Sequence, residues 1–164
     1  MFKVSRKSEY ALMAVQYLGR QPRDAIISVA ELSVAESIPQ DILAKVLQGL
    51  KRAGVLTATK GAGGGYRLSR SVAEIRFLDV VRPFEEQLAV VNCQSSAPDC
   101  DRHDCCSLRD PMTTLNAFVL RQFETLTMEM FVTPPPWLQQ TVRTQPMGGS
   151  QPHVSGLSLS RRLA

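Results

Sequence analysis

The chain has 164 residues, 44% of them hydrophobic, and a formal net charge of +4. That length buries the core of one domain, or of one small domain with an appendage. No apolar run approaches the roughly 20 residues that span a bilayer, and the opening MFKVSRKSEY lacks the apolar core of a signal peptide, so a cytoplasmic protein is predicted, with no membrane partner.

The charge is unevenly divided. Residues 1–70 carry 11 Lys/Arg against 5 Asp/Glu, residues 71–132 carry 5 against 10, and residues 133–164 carry 3 Arg and no acid. A basic first half beside an acidic second half points to a polyanion met by the first half alone.

In chain order, residues 5–19 place Ala11, Ala14, Val15 and Leu18 on one helical stripe, with Gly19 as its stop. Ser28 and Glu31 form a capping box for a short second helix carrying Val29, Ala30 and Leu32. Pro39 suits the first turn of a third helix and Gly54 its end. Ile42, Leu43, Val46, Leu47 and Leu50 cluster on one side of that helix. Val55–Thr59 and Tyr66–Ser69 have strand character, and Gly61, Gly63, Gly64 and Gly65 supply a hairpin turn between them. Ser71 and Glu74 predict a second capping box, ahead of a fourth helix with Ile75, Phe77, Leu78 and Val81. Three helices followed by a hairpin is the order of a winged helix-turn-helix, so the predicted fold is mainly α with a small β-hairpin.

Residues 92–108 form a Cys- and Asp-rich loop. Asp110–Pro111 then reads as the cap and first turn of a long helix reaching about Phe131, roughly 30 Å. Its broad apolar face includes Met112, Leu115, Phe118, Val119, Phe123, Leu126 and Met130. A second copy of the same helix covers that face most simply, which predicts a two-fold homodimer. Pro134–Pro136 ends the helix, and the Gln-, Ser-, Gly- and Pro-rich remainder reads as disordered. The organisation is therefore residues 1–82 as a winged helix-turn-helix DNA-binding domain, 83–132 as Cys-rich loop and dimerisation helix, and 133–164 as a tail.

Opposite its apolar stripe the third helix shows Asp41, Ala44, Lys45, Gln48 and Arg52, with Gln40 at its start. Amide and cationic side chains on a free helix face reach base edges in the major groove of double-stranded DNA. A glycine-rich wing approaches the minor groove or the phosphates, which makes Lys60 its leading cation and Arg67 a second candidate. Lys3, Arg6 and Lys7 are candidates for backbone contact. A solvated helix face would look similar; the neighbouring hairpin favours DNA.

The run ILAKVLQGLKRAGVLTATKGAGGGYRLSRSVAEIRFLDVV carries Leu47, Leu50, Ala53, Gly54 and Val55, then Lys60-Gly61 and Gly64-Gly65-Tyr66-Arg67-Leu68. With Ser5 and Tyr10-Ala11-Leu12 upstream, this resembles the Rrf-two family of bacterial winged helix-turn-helix regulators, the IscR-, NsrR- and RirA-like repressors. The resemblance covers about residues 1–132. It implies a homodimeric repressor that binds a pseudo-palindromic operator. Members usually carry Arg where this chain has Lys60, which keeps the charge and changes the fork geometry.

All four cysteines, Cys93, Cys100, Cys105 and Cys106, lie within one short stretch. A disulfide framework would spread them, and their gaps match paired zinc knuckles poorly. Thiolates are soft ligands that favour iron–sulfur clusters or zinc. By resemblance, Cys93, Cys100 and Cys106 hold an iron–sulfur cluster, [2Fe-2S] or [4Fe-4S], with Cys106-Ser107-Leu108 matching the family's C-x-L. The resemblance also places Glu9 of the partner subunit as the fourth ligand; His103 is its rival. Asp99, Asp101, Asp104 and Asp110 crowd the loop and oppose an anionic centre, which points to a labile cluster. Metal-free thiol oxidation, or zinc, is the alternative switch. A small thiol or metal enzyme is a further reading, but Cys-x-x-Cys, H-E-x-x-H, G-x-S-x-G and P-loop motifs are all missing from the sequence. A protein-binding adaptor that has borrowed the winged fold is a third reading.

Overall fold

The computed structural model describes residues 4–61, 63–85, 88–89 and 105–136; Lys3, Cys93, Cys100, His103 and the tail beyond 136 lie outside the described residues. The chain divides into two units, Met1–Pro134 and Pro135–Ala164, and every element below belongs to the first. Among the described residues no helix is long and apolar enough to cross a membrane.

Helix α1 spans Arg6–Arg20 and buries Ala11, Ala14, Val15 and Leu18 on the predicted stripe. Gly19 does not stop it. The residue lies inside the helix, where close packing requires glycine: a Cβ there would fall 2.7 Å from a Val72 methyl and 2.8 Å from one of Val132. Helix α2, Val29–Glu36, is capped by the Ser28 hydroxyl, which accepts the Glu31 N–H at 3.1 Å. Ser37 takes a left-handed conformation (φ 54°), and Ser33 Oγ donates to the Ile38 carbonyl at 2.6 Å, closing the turn into α3. Pro39 occupies the N-cap position of α3, Gln40–Arg52, one residue ahead of the first turn where the sequence places it and with no side-chain capping bond; Leu43, Val46, Leu47 and Leu50 of the helix are buried. The end of α3 is a Schellman motif. Gly54 at φ 73° gives its N–H to the Lys51 carbonyl, and Val55 reaches back to Leu50, both at 3.0 Å.

Strands β1, Leu56–Thr59, and β2, Gly65–Leu68, pair antiparallel with Leu56 opposite Leu68 and Thr59 opposite Gly65. Ile27 adds a bridge to Tyr66, with reciprocal bonds of 3.0 and 2.8 Å, so the turn-side end of β2 is stitched to the approach to α2.

Two predicted elements differ. The Ser71–Glu74 pair closes a turn and not a helix: the Glu74 carboxylate accepts the Ser71 N–H at 3.0 Å and its hydroxyl at 2.6 Å. Helix α4 starts later, at Phe77–Val81, and a 3₁₀ turn, Arg82–Phe84, follows it. The predicted long helix is two: α5, Arg109–Thr125, and α6, Glu129–Val132. One cause explains both differences. Arg76 pairs with Thr127, Phe77 donates to Leu126 at 2.8 Å, and Met128 donates to Ile75 at 2.8 Å. This backbone pairing needs extended chain on both sides, so neither helix runs through it. Asp110 sits in the first turn of α5, whose N-cap is Leu108.

The main core joins Val15, Leu32, Leu43, Leu47, Leu50, Ile75 and a fully buried Met128. A smaller cluster gathers Phe77, Leu78 and Val81 against Phe123, Leu126 and Phe131, with the Phe77 and Phe131 rings stacked at 5.8 Å.

Candidate nucleic-acid interface

The burial of Leu43, Val46, Leu47 and Leu50 turns the opposite face of α3 outward, and Gln40, Asp41, Lys45, Gln48 and Arg52 are all exposed on it. The helix is held by its core contacts with α1 and α2 and ended by the Gly54 turn, so this face is presented on a rigid element. Lys60 stands exposed where β1 runs into the glycine turn. Arg67 is different. Its Nε donates to Thr57 Oγ1 at 3.3 Å and its guanidinium pairs with Asp24 at 3.7 Å, so it is engaged along the side of the hairpin.

Between α1, α3 and the 3₁₀ turn runs a groove of about 550 Å³. Arg6 and Lys7 stand on its α1 wall, Lys45 and Arg52 on its α3 wall, and Tyr10 and Phe84 lie against it. Among the described residues Arg6 is paired with Glu9 at 3.0 Å, while Lys7, Lys45, Arg52 and Lys60 have no ion-pair partner. Cations left unneutralised on adjoining elements make a positive surface that attracts a polyanion. The sequence pattern singled out each of these residues, but not the groove, which arises from the crossing of α1 and α3.

The N-terminus of α1 holds the residue that sequence reasoning missed. Ser5 caps the helix, its Oγ accepting the Ser8 N–H at 3.3 Å. The half-buried Glu85 carboxylate accepts the Ser5 N–H at 2.7 Å and the hydroxyl of fully buried Ser8. Burial pushes the Glu85 pKa up, but the bonds donated by Ser8 and Ser5 outweigh it and hold the carboxyl below its ordinary value. No local motif announces this contact, which joins residues 80 apart in the chain.

Of the candidate metal ligands, Cys106 is half-buried just ahead of α5, beside an exposed Cys105, and Glu9 lies in the first turn of α1. Cys93 and Cys100 lie outside the described residues. Among the described residues no three metal-ligating side chains come together.

A helix-turn-helix with an exposed polar recognition face and a glycine-turned wing defines the winged-helix class of DNA-binding proteins. The chain matches the family Rrf2, described as "Iron-dependent Transcriptional regulator", over residues 4–134, and it belongs to that family. Among solved structures it is similar to CymR (YrzC), the global cysteine regulator of B. subtilis, with TM-score 0.67 and 21% identity over 82% of this chain and 99% of that one. It is also similar to T. potens IscR, with TM-score 0.60 and 20% identity over 90% of this chain and 93% of that one. Staphylococcus aureus CymR matches with TM-score 0.61 and 19% identity over 79% of this chain and 97% of that one. At these identities the likeness establishes the fold. The family is one of DNA-binding transcriptional regulators, not of enzymes, and this chain is such a regulator.

Proposed function

We propose that the protein is a homodimeric, sequence-specific repressor acting on cytoplasmic double-stranded DNA, with its operator affinity set by an iron–sulfur cluster held in the 93–106 segment. The observation that carries the DNA-reading part is the set of exposed cations, Lys45, Arg52 and Lys60, on α3 and the wing, which have no acid partner among the described residues. Gln40 and Gln48 offer amides for base edges, Lys45 and Arg52 line the groove side of α3, and Lys60 leads the wing. Arg67 steadies the hairpin through Asp24 and Thr57, and exchanges Asp24 for a phosphate on contact with DNA. Residues 1–82 read DNA, 83–132 sense and dimerise, and 133–164 form a tail. Helix α5 supports the dimer: it has no buried residue in the single chain, and Leu115 and Phe118 on it are 42% and 61% exposed. A two-fold copy would cover them.

Cys93, Cys100 and Cys106, with Glu9 of the partner subunit, are the proposed ligands. The chemistry of the donors fits: thiolates are soft iron ligands, and a carboxylate is a hard, readily displaced one. Half-buried Cys106 suits a ligand better than exposed Cys105. When bound, the cluster supplies iron that reacts with oxidants or nitric oxide. Glu9 already has Arg6 as an alternative partner at 3.0 Å, so its carboxylate keeps a counter-charge when it is not a ligand.

Anaerobic purification followed by absorption spectroscopy and iron and sulfide analysis tests the cluster. The K45A/K60A double variant should keep the chromophore and lose operator affinity by tenfold or more, with a salt slope lower by about 1.8 on the basis of about 0.9 per phosphate contact. A coloured protein whose double variant binds the operator as the parent does would contradict the DNA assignment. The exposed Cys105 beside Cys106 favours a second reading, switching by thiol oxidation. One solved CymR of S. aureus is an oxidized form. A colourless, iron-free protein whose operator affinity changes with a thiol oxidant would establish that reading in place of the first.

A further inference from the structure

We infer that Phe84 and Glu85 are a positioning pair that sets the width of the cationic groove, and thereby DNA affinity, by fixing the N-terminus of α1 relative to α3. The inference rests on the proposal that Lys45 and Arg52 face DNA, and takes Arg6 and Lys7, the backbone-contact candidates of the sequence, as the cations of the opposite groove wall.

The N-terminal cap of α1 is incomplete within its own segment. In a capping box the third helical residue is Glu or Gln, and its side chain returns to the backbone N–H of the cap residue. Helix α1 has Ser5 at the cap and Ser8 at that third position, and a serine side chain is too short to return. Glu85 supplies the missing half from elsewhere in the chain by accepting the Ser5 N–H, and its carboxylate lies at the helix end where the backbone dipole favours negative charge. It also accepts from the hydroxyl of Ser8, the one buried polar side chain among the described residues, whose other hydroxyl partner is Ser5 Oγ at 3.3 Å. Arg6 and Lys7, which line the groove, are the two residues between these contacts.

Phe84, the adjacent residue, holds the opposite wall. Its ring lies against Gly49 on α3, so closely that a Cβ at Gly49 would fall 2.6 Å from Cε1 of the ring. Gly49 is one helical turn from Lys45 and nearly one from Arg52. Two consecutive residues thus grip the two walls, one by an apolar contact and one by charge-assisted hydrogen bonds. Neither residue touches the bases in this scheme; both act through the cations that they place.

The test measures binding of the full-length chain to a duplex that the wild type selects from a random pool, across a salt series. E85A and G49A should each weaken binding about tenfold, the size of an ordinary coupling between sites, and lower the salt slope as Arg6 and Lys7 lose their phosphates. E85Q keeps an oxygen that accepts from Ser5 and Ser8, and should restore most of the affinity. Thermal unfolding checks that each variant is folded. Should E85A not fold, S8A removes a single donor and carries the same prediction. A wild type that selects a duplex, with E85A, G49A and S8A binding it within twofold and with unchanged slope, overturns the inference alone. A wild type that selects no duplex overturns the DNA-reading proposal along with it.

Discussion

Glu85 shows how much one side chain carries that local sequence does not reveal. Its carboxyl is held below the ordinary 4.5 because the Ser8 and Ser5 donors outweigh the cost of burial. A depressed carboxyl means that the unfolded chain binds the proton more readily than the folded one. The stabilisation is therefore whole above the ordinary value and is lost as pH falls through the lower folded-state value. Urea titrations between about pH 3 and 6 should show an acid limb in the wild type that flattens in E85Q; an unchanged limb would mean that the contact contributes nothing in solution. Met128 makes the same point for packing. The periodic pattern ran past it as part of a long helix, yet it is fully buried and its backbone is bonded to Ile75. Met128→Ala should cost about 2–5 kcal/mol in urea unfolding, because it leaves a cavity at the centre of the main core.

At the scale of elements, legibility followed the range of the forces involved. Helices α1, α2 and α3 and the hairpin were readable because a periodic stripe, a Ser cap and a Gly end are local signals. Ser28 caps α2 as predicted, and Gly54 ends α3 with the positive φ that its sequence position implied. Gly54→Val should destabilise the chain by about 1–2 kcal/mol through strain in the left-handed region, read as a lower denaturation midpoint with unchanged slope. A midpoint equal to the wild type would contradict the Schellman end. The Ser71–Glu74 turn and the break at Leu126 escape local pattern for one reason. Both belong to a pairing between segments about 50 residues apart, and no window of local pattern contains it. The candidate site divides the same way. Lys45, Gln48, Arg52 and Lys60 were legible as polar positions opposite an apolar stripe or in a glycine turn. The groove, the engagement of Arg67 by Asp24 and the Glu85 cap come from elements crossing in space.

For the whole molecule, the proposed assembly is two copies joined through α5 that grip one duplex with two recognition helices. Leu108, Leu115 and Phe118 are exposed; in the proposed dimer they would supply the apolar surface for association, and the exposed cations of α3 and the wing would supply the grip. Phe118→Glu should therefore shift the molecule toward a single protomer in sedimentation and weaken operator binding about tenfold or more, while leaving the helical signal intact, since the ring contributes to no buried core in one chain. The most direct measurement is a hydroxyl-radical footprint on a selected operator, with the number of chains per duplex counted by sedimentation. Two symmetric protected tracts, centred about one helical turn of DNA apart or a multiple of it, with two chains bound, is the predicted result. One protected tract with a single chain bound, or even protection along the whole duplex, would contradict it.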